Sequence, residues 1–285
     1  MSNSGILSNK VIAVTGGGRG IGREVALLCA REGAAIIVND LGGTLAGDGQ
    51  DTTPAQEVVE LINSEGGSAC ANFANVSEFE AAKTIIDDAI KHFGRIDAVV
   101  NNAGISRDTI FHKMTPENWH SVINVHLNGS FNVSRAAAPY FREQNSGAFV
   151  HMTSTSGLIG NIGQSNYSSA KMALVGLSNS IALDMGRYGV RSNCVSPFAW
   201  SRMTDSIETR SEEDRERVKQ LQSMTPDKVA PMVAFLCSDP AAEVTGEVFC
   251  VRKNEILLFS QMRPVRSIHR DNGWTPESIF NELLP

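Results

Sequence analysis

Val11-Ile-Ala-Val-Thr-Gly-Gly-Gly-Arg-Gly-Ile-Gly-Arg-Glu24 runs from an apolar segment, through a cluster of glycines, into an amphipathic stretch that ends near Arg31. An apolar run bounded by glycine reads as a strand, and the stretch from Arg23 to Arg31 reads as a helix. Glycines at such a junction let backbone approach a ligand closely, and the helix's first amides lack partners of their own, so the junction suits a pyrophosphate. The spacing Gly16-x-x-x-Gly20-x-Gly22 is a variant of the dinucleotide pattern. An ATPase loop would need Lys and then Ser or Thr where Arg23-Glu24 stand, which disfavours that class.

The alternation continues along the chain. Ala35 to Val38 precedes a helix from about Pro54 to Ser64, and Ala69 to Phe73 precedes one ending near Phe93. Ala98 to Asn101 precedes a loop and a long helical segment from Pro116 to Gln144, and Ala148 to Thr153 precedes the helix carrying Tyr167. Arg191 to Val195 and Val248 to Val251 complete the set. Strands alternating with helices of this length form a parallel sheet, because right-handed crossovers place helices on both faces. The expected fold is α/β: one Rossmann-type domain over residues 1–285, a doubly wound seven-stranded parallel sheet.

Two segments break the rhythm. Residues 198–224 form a long insertion at the sheet's C-terminal edge, where a substrate lid would sit. Its charged patch, Glu208 to Lys219, also fits a solvated helix with pairs such as Glu213 and Arg217. The tail, residues 252–285, is irregular, with Arg263, Arg266 and Arg270.

The 285 residues are 42% hydrophobic and 20% charged, enough for a sizeable core. A formal net charge of -6 offers no global attraction for phosphate backbones or anionic membranes, so no nucleic-acid or membrane partner is expected. Five scattered cysteines, an odd number without a C-x-x-C pair, argue against a disulfide framework and for a reducing compartment. The N-terminal residues lack the features of a secretion signal and the last residues are Glu-Leu-Leu-Pro rather than Ser-Lys-Leu, so the expected location is cytoplasmic. His112, His120, His126 and His151 lack metal-ligand spacing and read as satisfied structural histidines, with no metal expected.

Asp40 ends the second expected strand at the offset where an acid hydrogen-bonds adenosine ribose hydroxyls. A carboxylate there repels a 2′-phosphate, favouring NAD over NADP, while Arg19 is the counter-signal because a guanidinium in the glycine loop grips such a phosphate. Asn101-Asn-Ala-Gly104 follows the fourth strand, where small and amide side chains let backbone lie against a cofactor. Tyr167 and Lys171 lie one helical turn apart in Tyr-Ser-Ser-Ala-Lys. An isolated phenol has a pKa near ~10, and a neighbouring ammonium favours its ionised form, which implies proton transfer coupled to hydride transfer.

These residues resemble the short-chain dehydrogenase/reductase family over roughly Lys10 to Val251. The resemblance rests on Thr15-Gly-Gly-Gly-Arg-Gly-Ile-Gly22, Asn101-Asn-Ala-Gly104, Asn124, Ser154 and Tyr167-Ser-Ser-Ala-Lys171. It implies that Ser154 hydrogen-bonds the substrate oxygen and Tyr167 exchanges the proton. Lys171 would hold the nicotinamide ribose and lower the phenol's pKa, and Asn124 would position a water leading from Lys171 to solvent. It further implies cofactor contacts from Gly16, Gly18, Arg19, Gly20, Ile21, Gly22, Asp40, Asn75, Val76, Asn102, Ala103, Gly104, Tyr167, Lys171, Pro197 and Thr204.

Val38-Asn-Asp-Leu-Gly-Gly43, Asn102-Ala-Gly-Ile-Ser-Arg-Asp108, Val125-His-Leu-Asn-Gly-Ser-Phe131 and Ser201-Arg-Met-Thr204 are similar to the dehydrogenase module of peroxisomal multifunctional β-oxidation enzymes and their bacterial single-domain counterparts. That likeness implies NAD-dependent oxidation of (3R)-hydroxyacyl-CoA or a related steroid or lipid alcohol. The alternatives are an NADPH-dependent 3-oxoacyl carrier protein or steroid reductase, and a dinucleotide-binding regulator without turnover. The sequence departs from the family pattern at Asn75, at Pro197-Phe198 and at Val251-Arg-Lys-Asn254, where the tail would pack differently. Phe198, Trp200 and Met203 line an apolar acyl pocket or pack an ordinary loop, and Arg202 and the tail arginines meet CoA phosphates or lie on a polar surface. Ala136-Ala-Ala138 in one helix, and Ala173, Gly176 and Ala182 in another, suit a homodimer or homotetramer.

Overall fold

A computed structural model of the chain describes residues 5–199, 211, 212, 216, 218 and 222–283. Most of the expected lid, with Trp200, Arg202, Met203, Thr204 and the Glu213 and Arg217 pair, lies outside the described residues.

The strands are β1 (Val11–Thr15), β2 (Ala35–Asn39), β3 (Ser68–Asn72), β4 (Ala98–Asn101), β5 (Gly147–Met152), β6 (Val190–Phe198), β7 (Val248–Arg252) and β8 (Glu255–Leu258). Helices α1 (Gly20–Arg31), α2 (Thr53–Ser64), α3 (Phe79–Phe93), α4 (Pro116–Ile123), α5 (Gly129–Gln144), α6 (Thr155–Leu158), α7 (Ser165–Met185), α8 (Ala230–Cys237) and α9 (Pro276–Leu283) connect or follow them. The sheet order is β3-β2-β1-β4-β5-β6-β7-β8. The first seven strands pair in parallel. Chain order reverses between β1 and β4, so a crevice opens at their C-terminal ends.

β1, β4 and β5 are buried throughout, which explains why they read as near-continuous apolar runs: helices cover both faces. One core lies between the sheet and α1, α2 and α8, and includes Val25, Val58 and Val233. A second lies between the sheet and α3 and α5, and includes Ile85, Ile86 and Val133. There Phe141 packs on Phe149 with ring centroids 4.8 Å apart, a contact worth about 0.5–1.5 kcal/mol beyond its area burial.

Three features differ from the sequence expectation. Among the described residues the sheet has eight strands rather than seven, because β8 folds back antiparallel on β7 through Lys253-Asn254. Lys253 takes a positive φ of 55, and Arg252 and Glu255, flanking the turn, form an ion pair at 2.7 Å. β6 continues through Pro197 and Phe198, which pair with Val251 and Arg252, so the first residue assigned to the lid belongs to the sheet. The expected continuous Pro116–Gln144 helix is α4 and α5 joined by a π-type turn over Asn124–Asn128. In that turn the Gly129 amide donates to the Asn124 carbonyl five residues back, and such turns gather at functional sites.

Candidate active site

A cleft of about 340 Å³ opens at the reversal point between β1 and β4. Gly16, Arg19, Gly20, Asp40, Asn75, Val76, Asn102, Ala103 and Gly104, all expected from the sequence, line it.

The glycine loop is shaped from both sides. Asn102 donates its side-chain amide to the carbonyls of Thr15 and Gly16, at 3.0 and 3.1 Å. The Thr15 hydroxyl accepts from the amides of Asn102 and Ala103. Asp40 accepts from the Gly18 amide at 2.9 Å and from the Gly42 amide at 2.7 Å, so the carboxylate pins the loop to the end of β2. Arg19 precedes α1 without a side-chain cap, which leaves the helix's first-turn amides open to an anion. Gly20 takes a φ of +54, and a Cβ there would meet nothing within 4 Å, so the backbone fronts open space in the cleft. Uncapped amides, a positive-φ glycine and the Asp40 carboxylate fit a dinucleotide's pyrophosphate and ribose. Arg19 meets Asp51 at 3.5 Å with both side chains partly exposed, a weak restraint that leaves the guanidinium free to turn. Asn75 spends its side chain locally, accepting from Ser77 and donating to Glu78.

Ser154, Tyr167 and Lys171 come together, and Tyr167 reaches the cleft wall through His126, which bonds the cleft-lining Ile105. Ser154 follows β5 and caps α6, its hydroxyl accepting from the Ser156 amide at 3.1 Å. Tyr167 lies in the first turn of α7 and Lys171 one turn on. The Lys171 ammonium is buried, donates to the Met152 carbonyl and lies 5.5 Å from the centre of the Tyr167 ring. Burial pushes the Lys171 pKa down to about 7. The Tyr167 phenol is raised rather than lowered: burial dominates, hydrogen bonding to Ser154 opposes it and the Asp108 carboxylate adds to it. The expected acidification by Lys171 is not seen: the phenol is raised, and the one lowering influence on it is the Ser154 hydrogen bond.

Asn124 does not join this set. It is exposed, and its side-chain carbonyl accepts from Asn128 at 2.9 Å. The π-type turn instead delivers His126, which is buried against Tyr167. His126 Nε2 lies 3.1 Å from the Ile105 amide and 2.9 Å from the Ile105 carbonyl, while Nδ1 has no partner. His151, under the same lysine, bonds Asn101 through Nδ1 and leaves Nε2 unpartnered. The expectation of fully satisfied histidines therefore fails at these two positions. His112 and His120 are exposed.

Gly18, Ile21, Gly22 and Pro197 support the loop or the sheet without lining the cleft, Tyr167 and Lys171 do not line it either, and Thr204 is outside the described residues. Sequence reading missed much of the cleft wall: Leu41, Gly43, Thr44, Leu45, Gly47 and Ile105. Their signal was the quoted Leu41-Gly-Gly43 and Gly104-Ile105, read for likeness rather than for position. Among the described residues no group of three or more His, Cys, Asp or Glu side chains is placed to hold a metal ion. No helix among them is long and apolar enough to cross a membrane.

Residues 16–253 match the family described as Enoyl-(Acyl carrier protein) reductase. The chain is 47% identical over 237 residues to a short-chain type dehydrogenase/reductase of Mycobacterium tuberculosis, covering 83% of this chain and 80% of that one. A hydroxyacyl-CoA dehydrogenase of the same organism is 36% identical, with 99% of this chain and 90% of that protein covered. The peroxisomal hydratase-dehydrogenase-epimerase of Saccharomyces cerevisiae is 40% identical over 96% of this chain, which spans only 29% of that longer enzyme. The crystal structure of a short chain dehydrogenase from Mycobacterium avium superposes with a TM-score of 0.85 at 36% identity, covering 98% of this chain and 94% of that one.

Proposed function

The chain belongs to the short-chain dehydrogenase/reductase family of oxidoreductases, and from that membership we propose that it uses NAD to interconvert a secondary alcohol and a ketone on a lipid-like substrate, with (3R)-hydroxyacyl-CoA the best-supported body. The observation that carries the reading is that Ser154 and Lys171 both meet Tyr167, whose ring packs on His126 behind the Ile105 wall of a cleft that Gly16, Arg19 and Gly20 also line. Asp40 supports NAD, since its carboxylate stands at the cleft wall where a 2′-phosphate would be repelled. Hydroxyacyl-CoA and multifunctional relatives support the substrate class.

When bound, the dinucleotide supplies the hydride acceptor or donor. Ser154 Oγ hydrogen-bonds the substrate oxygen and holds it toward Tyr167. In oxidation the ionised phenol of Tyr167 takes the hydroxyl proton as the C–H bond yields its hydride; in reduction the phenol returns that proton to the carbonyl oxygen. Lys171, one turn along α7 with its ammonium 5.5 Å from the ring centre, is the group assigned to favour the phenolate by Coulomb attraction when it carries charge. Burial of Tyr167 makes that attraction necessary, because the phenol alone is held protonated.

One observation favours a second reading: Arg19 lines the cleft on a weak restraint and could turn to a 2′-phosphate, as an NADPH-dependent reductase requires. Fluorescence titration with NADH against NADPH separates the two, with tighter NADH binding expected. A panel of hydroxyacyl-CoAs, steroids and simple secondary alcohols then tests the substrate. Tyr167→Phe should lower turnover by about 10²–10⁴-fold while leaving NADH affinity within about two-fold, and retained turnover would refute the proton assignment. We also infer a homodimer or homotetramer formed through α5 and α7, where Phe131 and Leu183 are exposed. Light scattering at several concentrations tests that inference. Five free cysteines fit a reducing compartment, which we take to be the cytoplasm.

A further inference from the structure

The wall of the cleft nearest the β2 end is a loop between Asp40 and Thr52 whose side chains give it little reason to hold a shape. Leu41-Gly-Gly-Thr-Leu-Ala-Gly-Asp-Gly49 has four glycines and no apolar periodicity. Its internal bonds are short-range: the Thr44 amide to the Asp48 carbonyl at 2.8 Å, the Gly47 amide to the Thr44 carbonyl at 3.0 Å, and the Asp51 amide to the Leu41 carbonyl at 3.0 Å. Yet Leu41, Gly43, Thr44, Leu45 and Gly47 all face the cleft.

Arg107 holds this loop from outside. Its Nε donates to the Ala46 carbonyl at 2.9 Å, one terminal nitrogen meets Asp48 at 3.1 Å, and the other meets Glu117 of α4 at 3.1 Å. The side chain is 18% exposed, whereas those of Asp48 and Glu117 are 70% and 80% exposed, so the guanidinium is the sheltered hub of a three-way contact. The Arg107 backbone is itself fixed. Its carbonyl accepts from the fully buried Asn166 amide at 3.0 Å, and Asn166 Oδ1 accepts from the Tyr167 amide at 2.8 Å. One arginine therefore spans from the residue beside Tyr167 to the far wall of the cleft. Planar, multiply donating geometry suits Arg to this task and Lys poorly.

We propose that Arg107 is a positioning residue that sets dinucleotide affinity by clamping the 41–51 loop against α4 and the N-terminal end of α7. The inference rests on the oxidoreductase reading for what fills the cleft, but not for the clamp itself. A preformed wall spares the ligand the cost of ordering a glycine-rich loop, so the clamp acts on binding and not on the bond-making step.

The test compares wild type, Arg107→Ala, Arg107→Lys and Asp48→Asn. Hydrogen exchange over residues 41–52, without dinucleotide, should be faster in Arg107→Ala. The NADH dissociation constant by fluorescence should rise about ten-fold in Arg107→Ala, with kcat at saturating cofactor within about two-fold of wild type and partial recovery in Arg107→Lys. Asp48→Asn changes an exposed side chain and leaves the fold intact. It should raise the constant by a smaller factor, an effect that vanishes at high salt, and it keeps the test decisive if Arg107→Ala fails to fold. Unchanged exchange and unchanged affinity in these variants would overturn the clamp. Equal losses in kcat and affinity would assign Arg107 to general stability and overturn it as well. Because exchange needs no dinucleotide, its failure overturns the clamp alone, whereas a wild-type chain that binds neither NADH nor NADPH overturns the oxidoreductase reading and the affinity claim with it.

Discussion

The imidazole of His126 stands edge-on to the phenol ring of Tyr167, with ring centroids 5.2 Å apart and planes at 87°. An edge-to-face contact directs the positive rim of one ring at the negative face of the other and fixes the phenol's orientation without touching its hydroxyl. The contact depends on the turn that interrupts the α4–α5 segment, because only there does residue 126 face α7 rather than solvent.

Both buried histidines are held neutral. Burial, followed by the Lys171 charge, pushes His126 and His151 down to about 3. An unfolded chain protonates histidine near pH ~6.5, so between there and about pH 3 the unfolded state binds more protons and stability falls as pH falls. The melting temperature should decline from pH 6.5 to 4, with a loss on the order of a few kcal/mol by pH 4. A His126→Gln/His151→Gln variant should show a flatter profile. A wild-type curve level over this range would contradict the neutral assignment.

Burial and Asp108 raise the Tyr167 phenol while Ser154 lowers it, with Lys171 and His126 completing the groups that face the ring. Asp108 also accepts from Ser106 at 2.8 Å and from Gln164 at 2.6 Å, contacts that an amide largely preserves. Asp108→Asn should therefore move the acid limb of alcohol oxidation, where the phenolate is the base, to lower pH. Ser154→Ala should move it the other way. A pH profile of kcat/KM reads both directions, and a shift to higher pH in Asp108→Asn would count against the assignment.

Lys171 pays for its position in stability. Its pKa falls to about 7 on burial, whereas the unfolded side chain stays protonated to about 10.4, so the folded chain binds fewer protons in that window and is least favoured at its lower end. Lys171→Met should raise stability by about 1–3 kcal/mol at pH 7 and remove at least about a hundred-fold of turnover. Thermal melts alongside initial rates check both. A destabilised Met variant would show that the Met152 carbonyl contact outweighs desolvation.

Gly104 borders the cleft with no room for a side chain: a Cβ there would lie 2.3 Å from the His126 ring. Gly104→Ala should cost about 1–3 kcal/mol through overpacking and weaken NADH binding, because either the ring or the cleft wall must move. Denaturant melts and the same fluorescence titration measure the two effects. An alanine variant with wild-type affinity would mean that His126 yields freely.

Much of this site was readable in the chain because its physical demands are local. A buried parallel strand must be apolar along its length, as Val11 to Val14 are, and a loop that wraps an anion must be rich in glycine, as Gly16 to Gly22 are. Tyr167 and Lys171 share a helix face by spacing alone. Asn124 and His126 could not be told apart in this way, since a π-type turn re-aims the following residues and carries no glycine or proline to mark it. Asn124 was the better chemical match and His126 the better-placed residue. β8 escaped notice because Glu255-Ile-Leu-Leu258 is short and exposed, without the alternation of a half-buried strand. The 41–51 wall escaped because its contacts to the rest of the fold come from Ser106 and Arg107, more than fifty residues downstream.

The bonds from Asn102 to Thr15 and Gly16 join positions 87 and 86 residues apart in the chain. The pocket that begins the sequence is therefore completed only after β4 has docked: until then the loop has its bonds to Asn39 and Asp40 at the end of β2 but not those to Asn102. A fragment ending before Ala98 should be unable to hold a dinucleotide although it carries every glycine of the loop. Long-range closure of this kind slows folding, and adding cofactor early in refolding should do little until the central strands have met.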